Sequence, residues 1–306
     1  MKSFRKFLLE TEVTSTRRRG IIHLENMKDI NFVKFLQKVS SELDGKLKNI
    51  PIKMKVDGLG ARFGKDDRGR VFFEGSRTGP VFEPKSFSKY AIGHSKRPEV
   101  IQRSFFYDDI LDVFQKSSFA KNLPNNTKVV CEVLYNPMAE MVDDGYIFVK
   151  TKYDKKKLGS LMTIVPFTVL LADTGEEHPE KDAIIDKLLK SSTNEIKIVD
   201  SNLKIEGEID IQGYIDPIKT FDEETFRVLS SRKKADRGTK IELQNMLARI
   251  KVDLSLYLLN NEKIVDRFRL GREFEGIVIH IDGQQYKVTT PEFREKLRKE
   301  KEQRGQ

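Results

Sequence analysis

A single cysteine, Cys131, in 306 residues excludes an internal disulfide framework and any cysteine-built zinc site. It lies in the apolar run VVCEVLY (129–135), so a small buried core residue is the preferred reading over a nucleophile. Histidines are few. His23, His94, His178 and His280 show neither HxxxH nor HxH spacing, and no histidine-built metal site is expected. Long apolar runs are missing too: IVPFTVLLA (164–172) is too short to span a bilayer, so no membrane partner is expected. The opening MKSFRKFLLETEV has basic residues but a broken apolar stretch with acids soon after, unlike a signal peptide. These features point to a reducing compartment, the cytoplasm, with no disulfide partner.

What is present is charge. Lys plus Arg total 56 against 47 for Asp plus Glu, a net charge of +9 that favours polyanionic partners and says nothing of the fold. The length suits one large domain or two modest ones with a sizeable core.

Residues 1–50 hold a basic cluster, RRRG, then IIHLENM and INFVKFLQKVSSEL, where Phe32, Phe35, Leu36, Val39 and Leu43 recur at helical spacing. Packing is the default reading of IIHLENM. From 51 to 83 the chain reads as strands and turns: KMKVDG, GARFG and RVFFEGS. Residues 99–121 read as helical, and KVVCEVLY (128–135), YIFVKTKY (146–153) and LMTIVPFTVLLA (161–172) as strands. A helical insertion is expected at about 180–270, with helices in KDAIIDKLLKSS and IELQNMLARIKVDLSLYLL (241–259) and strand-turn-strand in IKIVDSNLKIEGEIDIQGYI. Strand character returns in FEGIVIHIDGQQYKVTT (274–290), and 291–306 is a charged helix or tail. The economical reading is an N-terminal basic and helical segment (1–50) packed on one domain (51–290), with a mixed, largely antiparallel α+β core.

Several residues stand out within these strands. In PIKMKVDGLGARFG, Ile52, Met54 and Val56 point one way, Lys53, Lys55 and Asp57 the other, directly before Gly58 and Gly60. SRTGP sets Arg77 at a strand end, where its fork of donors suits phosphate oxygens. Glu132 interrupts an apolar strand; a carboxylate there must be paired, bind a metal, or accept from a ligand hydroxyl. Glu275 repeats the pattern, and Lys287 is a further charge inside a strand. Taken singly, each is most simply a residue of a half-exposed strand or a solvated turn.

Taken in order, they resemble the covalent nucleotidyltransferase superfamily of ATP-dependent DNA ligases, RNA ligases and mRNA capping enzymes. KVDG looks like its KxDG nucleophile motif and SRTG like the arginine motif that follows. RTGP with an apolar successor is similar to phage-type nick-sealing RNA ligases. VVCEVLY, TIVPFTVLL, FEGIVI and YKV look like the remaining motifs, in order from about residue 50 to 290. The resemblance implies a nucleotidyltransferase (ATP-grasp-like) core of mainly antiparallel sheets flanked by helices. It implies an ATP-dependent polynucleotide ligase using Mg2+ (or Mn2+), acting on RNA or a nicked duplex in the cytoplasm (a host's cytoplasm if phage-encoded).

By resemblance, Lys55 is the nucleophile that becomes lysyl-AMP. Glu132 hydrogen-bonds the ribose, Phe167 stacks on adenine, and Arg77 grips a phosphate. Glu275 binds or orients the metal, and Lys287 meets the negative charge developing on the triphosphate. Lys53 supplies neighbouring positive charge that, with the metal, lowers the nucleophile's pKa. Asp57 is read as a turn anchor rather than a catalytic group. The departures are Thr289 where a second lysine is usual, Thr168 where an aspartate usually follows the phenylalanine, and an arginine delayed to Arg62. About twenty residues follow Lys287, so no OB-fold is expected. The alternatives are a DNA-nick ligase or another adenylyltransferase of the superfamily, or a non-catalytic relative that binds nucleotide or nucleic acid.

Overall fold

The structure, a computed structural model, describes residues 22–75, 78–136, 151, 153–271, 273–281 and 284–303. It is a mixed α+β fold with antiparallel and mixed sheets, helices against them, and no barrel among the described residues. In chain order come β1 (Ile22–His23), α1 (Asp29–Leu43), β2 (Lys46–Leu47), β3 (Ile52–Lys55), β4 (Leu59–Lys65) and β5 (Val71–Gly75). Then follow α2 (Ser86–His94), α3 (Pro98–Lys116), α4 (Ser118–Lys121), β6 (Thr127–Tyr135), β7 (Met162–Leu171), α5 (Lys181–Lys190), β8 (Ile196–Ile198) and β9 (Ile209–Asp210). The last are α6 (Gln212–Ile215), α7 (Glu223–Ser230), α8 (Arg237–Asn260), β10 (Gly276–Ile281), β11 (Gln284–Thr289) and α9 (Pro291–Gln303). Most of the strand expected at 146–153 lies outside the described residues, as does RRRG.

The chain divides into two compact units. The first is built on Val56–Ser201 with Leu270–Glu273, the second on the described residues of Arg19–Lys55, Asn202–Arg269 and Phe274–Gln306. The first unit centres on a five-stranded sheet in the order β5-β4-β6-β7-β8, antiparallel except for the parallel β7–β8 pair. One face carries Leu59, Ala61, Phe63, Phe73, Val129, Cys131 and Val133, packed with Ile110, Leu111 and Phe114 of α3. Period-2 alternation on the strands meets helical spacing on α3, and this generates the core.

Proline shapes the sheet locally. Pro166 lacks an amide donor, and the β6–β7 register slips beside it: Cys131 pairs with Pro166 but Val130 with Thr168. Phe167 is the extra residue of this bulge, which sets its side chain off the regular pleat.

The second unit holds a four-stranded sheet in the order β1-β11-β10-β3, with β10 antiparallel to both neighbours and β1 parallel to β11. A short antiparallel pair, β2–β9, accompanies it. The sheet's apolar residues Ile52, Met54, Ile277, Ile279, Tyr286 and Val288 are buried, as are Phe32, Val33, Phe35, Leu36 and Val39 on α1. The Phe35 ring lies 4.5 Å from that of Tyr286. Lys251 of α8 is also buried; its ammonium donates to Asp29 Oδ1 and to the Met27 carbonyl, both at 2.7 Å. No described helix is long and apolar enough to cross a membrane.

Candidate functional site

The expected alternation holds over β3, where Ile52 and Met54 are buried and Lys53 and Lys55 half-buried; beyond its end Val56 and Asp57 are both buried. β3 therefore turns its lysines to the sheet face opposite the core. Register then selects their neighbours. Gly276 of β10 pairs with Lys55 on one side and Thr289 of β11 on the other, and Val278 pairs with Lys53 and Lys287. Three lysines from two chain segments, β3 and β11, thus share one face on either side of a glycine and a valine of β10.

Glu275, just before β10, sits among them with its side chain only 4% exposed. Its Oε2 is 2.9 Å from Lys55 Nζ and its Oε1 2.8 Å from Lys287 Nζ. The three formal charges sum to +1 in surroundings that exclude most water. Ion pairs so placed are shielded little by salt, and each group's position depends on the others. Gly276 permits the arrangement. A Cβ there would lie 2.0 Å from the Val288 carbonyl oxygen, so only glycine lets β10 run this close to β11 directly after Glu275. Thr289, where a second lysine is usual, is 2% exposed, and among the described residues its Oγ1 has no hydrogen-bond partner.

The remaining residues of the expected site are in the first unit. Glu132 on β6 and Phe167 on β7 are half-buried on adjacent strands. Glu132 pairs with Gly60 of β4, and Arg62 two residues on faces Glu74 of β5. Glu74 is buried and takes two cations, Arg62 at 3.4 Å and Lys128 at 3.0 Å. Sequence reasoning missed Glu74 and Lys128, whose association is set by cross-strand register and leaves no local motif. Ser76 and Arg77 lie outside the described residues.

Asp57 anchors backbone from a distant part of the chain. Its Oδ2 accepts from the Thr151 amide at 2.8 Å, and its own amide donates to the Tyr153 hydroxyl at 2.8 Å. Cys131 is buried, and burial pushes its thiol well above the ordinary range, which suits a core residue rather than a nucleophile.

Among the described residues no three His, Cys, Asp or Glu side chains gather as a metal site. Glu275, the expected metal ligand, has an ammonium group on each oxygen. A divalent cation at Glu275 would have to displace a lysine or share an oxygen with one, so this donor set is fitted to holding lysines. No model of a known protein family matches the chain, and no curated protein matches it.

Proposed function

We propose that the chain is an ATP-dependent polynucleotide ligase of the RNA-ligase type, built on a nucleotidyltransferase core and acting in the cytoplasm. The observation that carries this reading is the Lys55–Glu275–Lys287 cluster. A lysine in KVDG, an acid in EG and a lysine in YKV, 232 residues apart from first to last, meet within hydrogen-bond distance.

In the proposed reaction Lys55 Nζ attacks the α-phosphorus of ATP. A P–N bond forms, the P–O bond to pyrophosphate breaks, and the amine loses a proton. An ordinary lysine is protonated at neutral pH, so the Lys55–Glu275 ion pair must open or pass its proton before attack. Glu275 is the carboxylate in reach. It also fixes where the amine starts, which is the positioning contribution to such a step. Lys287, held by the same carboxylate, and Lys53 on the same sheet face provide positive charge for the phosphates. Glu132 and Phe167 supply a hydroxyl acceptor and an aromatic face for the nucleoside. Mg2+ or Mn2+, when bound with the nucleotide, supplies charge neutralisation at the triphosphate. AMP then passes to a 5′-phosphate end, and a neighbouring 3′-hydroxyl attacks that end, releasing AMP and sealing the strand.

Incubation with α-labelled ATP and Mg2+ or Mn2+ is expected to label the protein, with the label lost in Lys55→Ala. No label under any divalent metal overturns the reading. Nicked RNA, DNA and hybrid duplexes then identify the acceptor. The buried Thr289 favours a second reading, a non-catalytic relative, because a compact hydroxyl stands where a cation is usual. Saturable ATP binding without a covalent label would support that reading.

A further inference from the structure

The helical pair that follows the β5 region, α2 and α3, has an unusual surface. Residues 84–105 carry five basic side chains, Lys85, Lys89, Lys96, Arg97 and Arg103, against one acid, Glu99. That is a net +4 of the chain's +9 within 22 residues. All five basic residues are exposed. So are four large hydrophobics: Tyr90 (38%), Ile92 (60%), Val100 (41%) and Phe105 (48%).

On α2 the exposed residues Lys89, Tyr90, Ile92, Gly93 and His94 occupy one half of the helix, while Phe87, Ser88 and Ala91 are buried on the other. The Tyr90 and His94 rings stack at 4.1 Å with an angle of 9° between planes, presenting a flat aromatic pair at the surface. The surface is firmly mounted. The buried Asp108 of α3 accepts from the Phe87 and Ser88 amides at 3.0 and 2.9 Å, capping α2 from a neighbouring helix.

We propose that this helical pair is a nucleic-acid docking surface, with Lys89, Lys96 and Arg97 meeting phosphates and the Tyr90–His94 stack receiving an unpaired base. Charge complementarity selects the occupant. A polyanion with planar apolar faces satisfies both the cations and the exposed rings, whereas a purely apolar partner would leave the cations buried and unpaired. The proposal rests on the ligase reading, since it names the surface that would hold that enzyme's substrate.

The test measures binding of a fluorescent nicked RNA duplex with a single-stranded overhang to the full chain, across a salt series. Self-labelling with ATP, which needs no nucleic acid, is followed in parallel. In the triple variant Lys89→Ala, Lys96→Ala, Arg97→Ala, the slope of log affinity against log salt should flatten by about 2 to 3, since each lost phosphate contact removes about 0.9. Tyr90→Ala should weaken overhang binding about 5- to 100-fold, the loss of one stacked base. Lys89→Arg with Lys96→Arg should retain the wild-type slope. A triple variant that melts as wild type and keeps the wild-type slope overturns the proposal, and a protein partner would then be the occupant to seek. Self-labelling without any change of slope sinks this surface alone; a changed slope without self-labelling supports the surface and sinks the ligase reading alone.

Discussion

Glu275 accepts from Lys55 through one carboxylate oxygen and from Lys287 through the other, at 2.9 and 2.8 Å. The carboxylate side chain is 4% exposed and the two lysines 17% and 13%, so a single buried acid holds two largely buried ammonium groups. Removing the carboxylate leaves two ammonium groups facing each other with little water. Glu275→Gln should therefore destabilise the protein by about 3 kcal/mol, in the range for breaking a buried pair. A urea titration checks this: the midpoint should fall with the slope unchanged. An unchanged midpoint would mean that the lysines find other partners at no cost.

Gly276 makes a sharper steric prediction. The nearest atom to an added Cβ is backbone, the Val288 oxygen at 2.0 Å, so no side chain can move aside to relieve the contact. Gly276→Ala should cost about 1 to 3 kcal/mol, as overpacking does. It should also reduce self-labelling with ATP, because β10 carries Glu275 on its end. Thermal melting and the labelling assay read the two effects separately, and wild-type values in both would refute the close approach.

Thr289 tests the opposite case, a polar group whose loss should help the fold. Its hydroxyl is buried without a hydrogen-bond partner among the described residues, so Thr289→Val should be neutral or stabilising by up to about 1 kcal/mol. If the hydroxyl serves the triphosphate, the same substitution lowers the rate of self-labelling. A gain in melting temperature with a loss of labelling would mark Thr289 as functional. A loss of stability would show that the hydroxyl is satisfied in solution.

How much of this was legible in the sequence depended on the range of the cause. The alternation Ile52, Met54, Val56 is local and fixes the faces of β3, and the spacing Phe32, Phe35, Leu36, Val39 fixes the buried side of α1. The helix α2 was not legible, because the carboxylate that caps it, Asp108, comes twenty residues later and its own sequence is only weakly patterned. IKIVDSNLKIEGEIDIQGYI reads as strand-turn-strand, whereas the chain ends this stretch in the short helix α6. There Asp210 Oδ1 accepts from the Gln212 amide, a local bond that ends β9 and starts α6. For the site, each of Lys55, Glu275 and Lys287 was visible as a charge out of pattern. Their convergence was implied only by the resemblance and not by the residues themselves, since it comes from Gly276 pairing with Lys55 and Val278 with Lys287, a register set by the whole sheet.

Cys131 gives a prediction in pH. Burial raises its thiol pKa, so the folded protein keeps the proton at pH values where the unfolded chain, near the ordinary value of about 8.5, releases it. Above that pH the unfolded state binds fewer protons than the native state, and stability must fall as pH rises toward the folded pKa. Below it the group contributes no slope. Cys131→Ala should lower stability at neutral pH by leaving a small cavity, yet show a shallower decline between about pH 8.5 and 10 than wild type. Urea melts across that range give the two slopes. In the same range a thiol reagent should modify wild-type protein only after denaturant is added. Rapid modification of the folded protein would place the thiol at the surface and remove the basis for the slope.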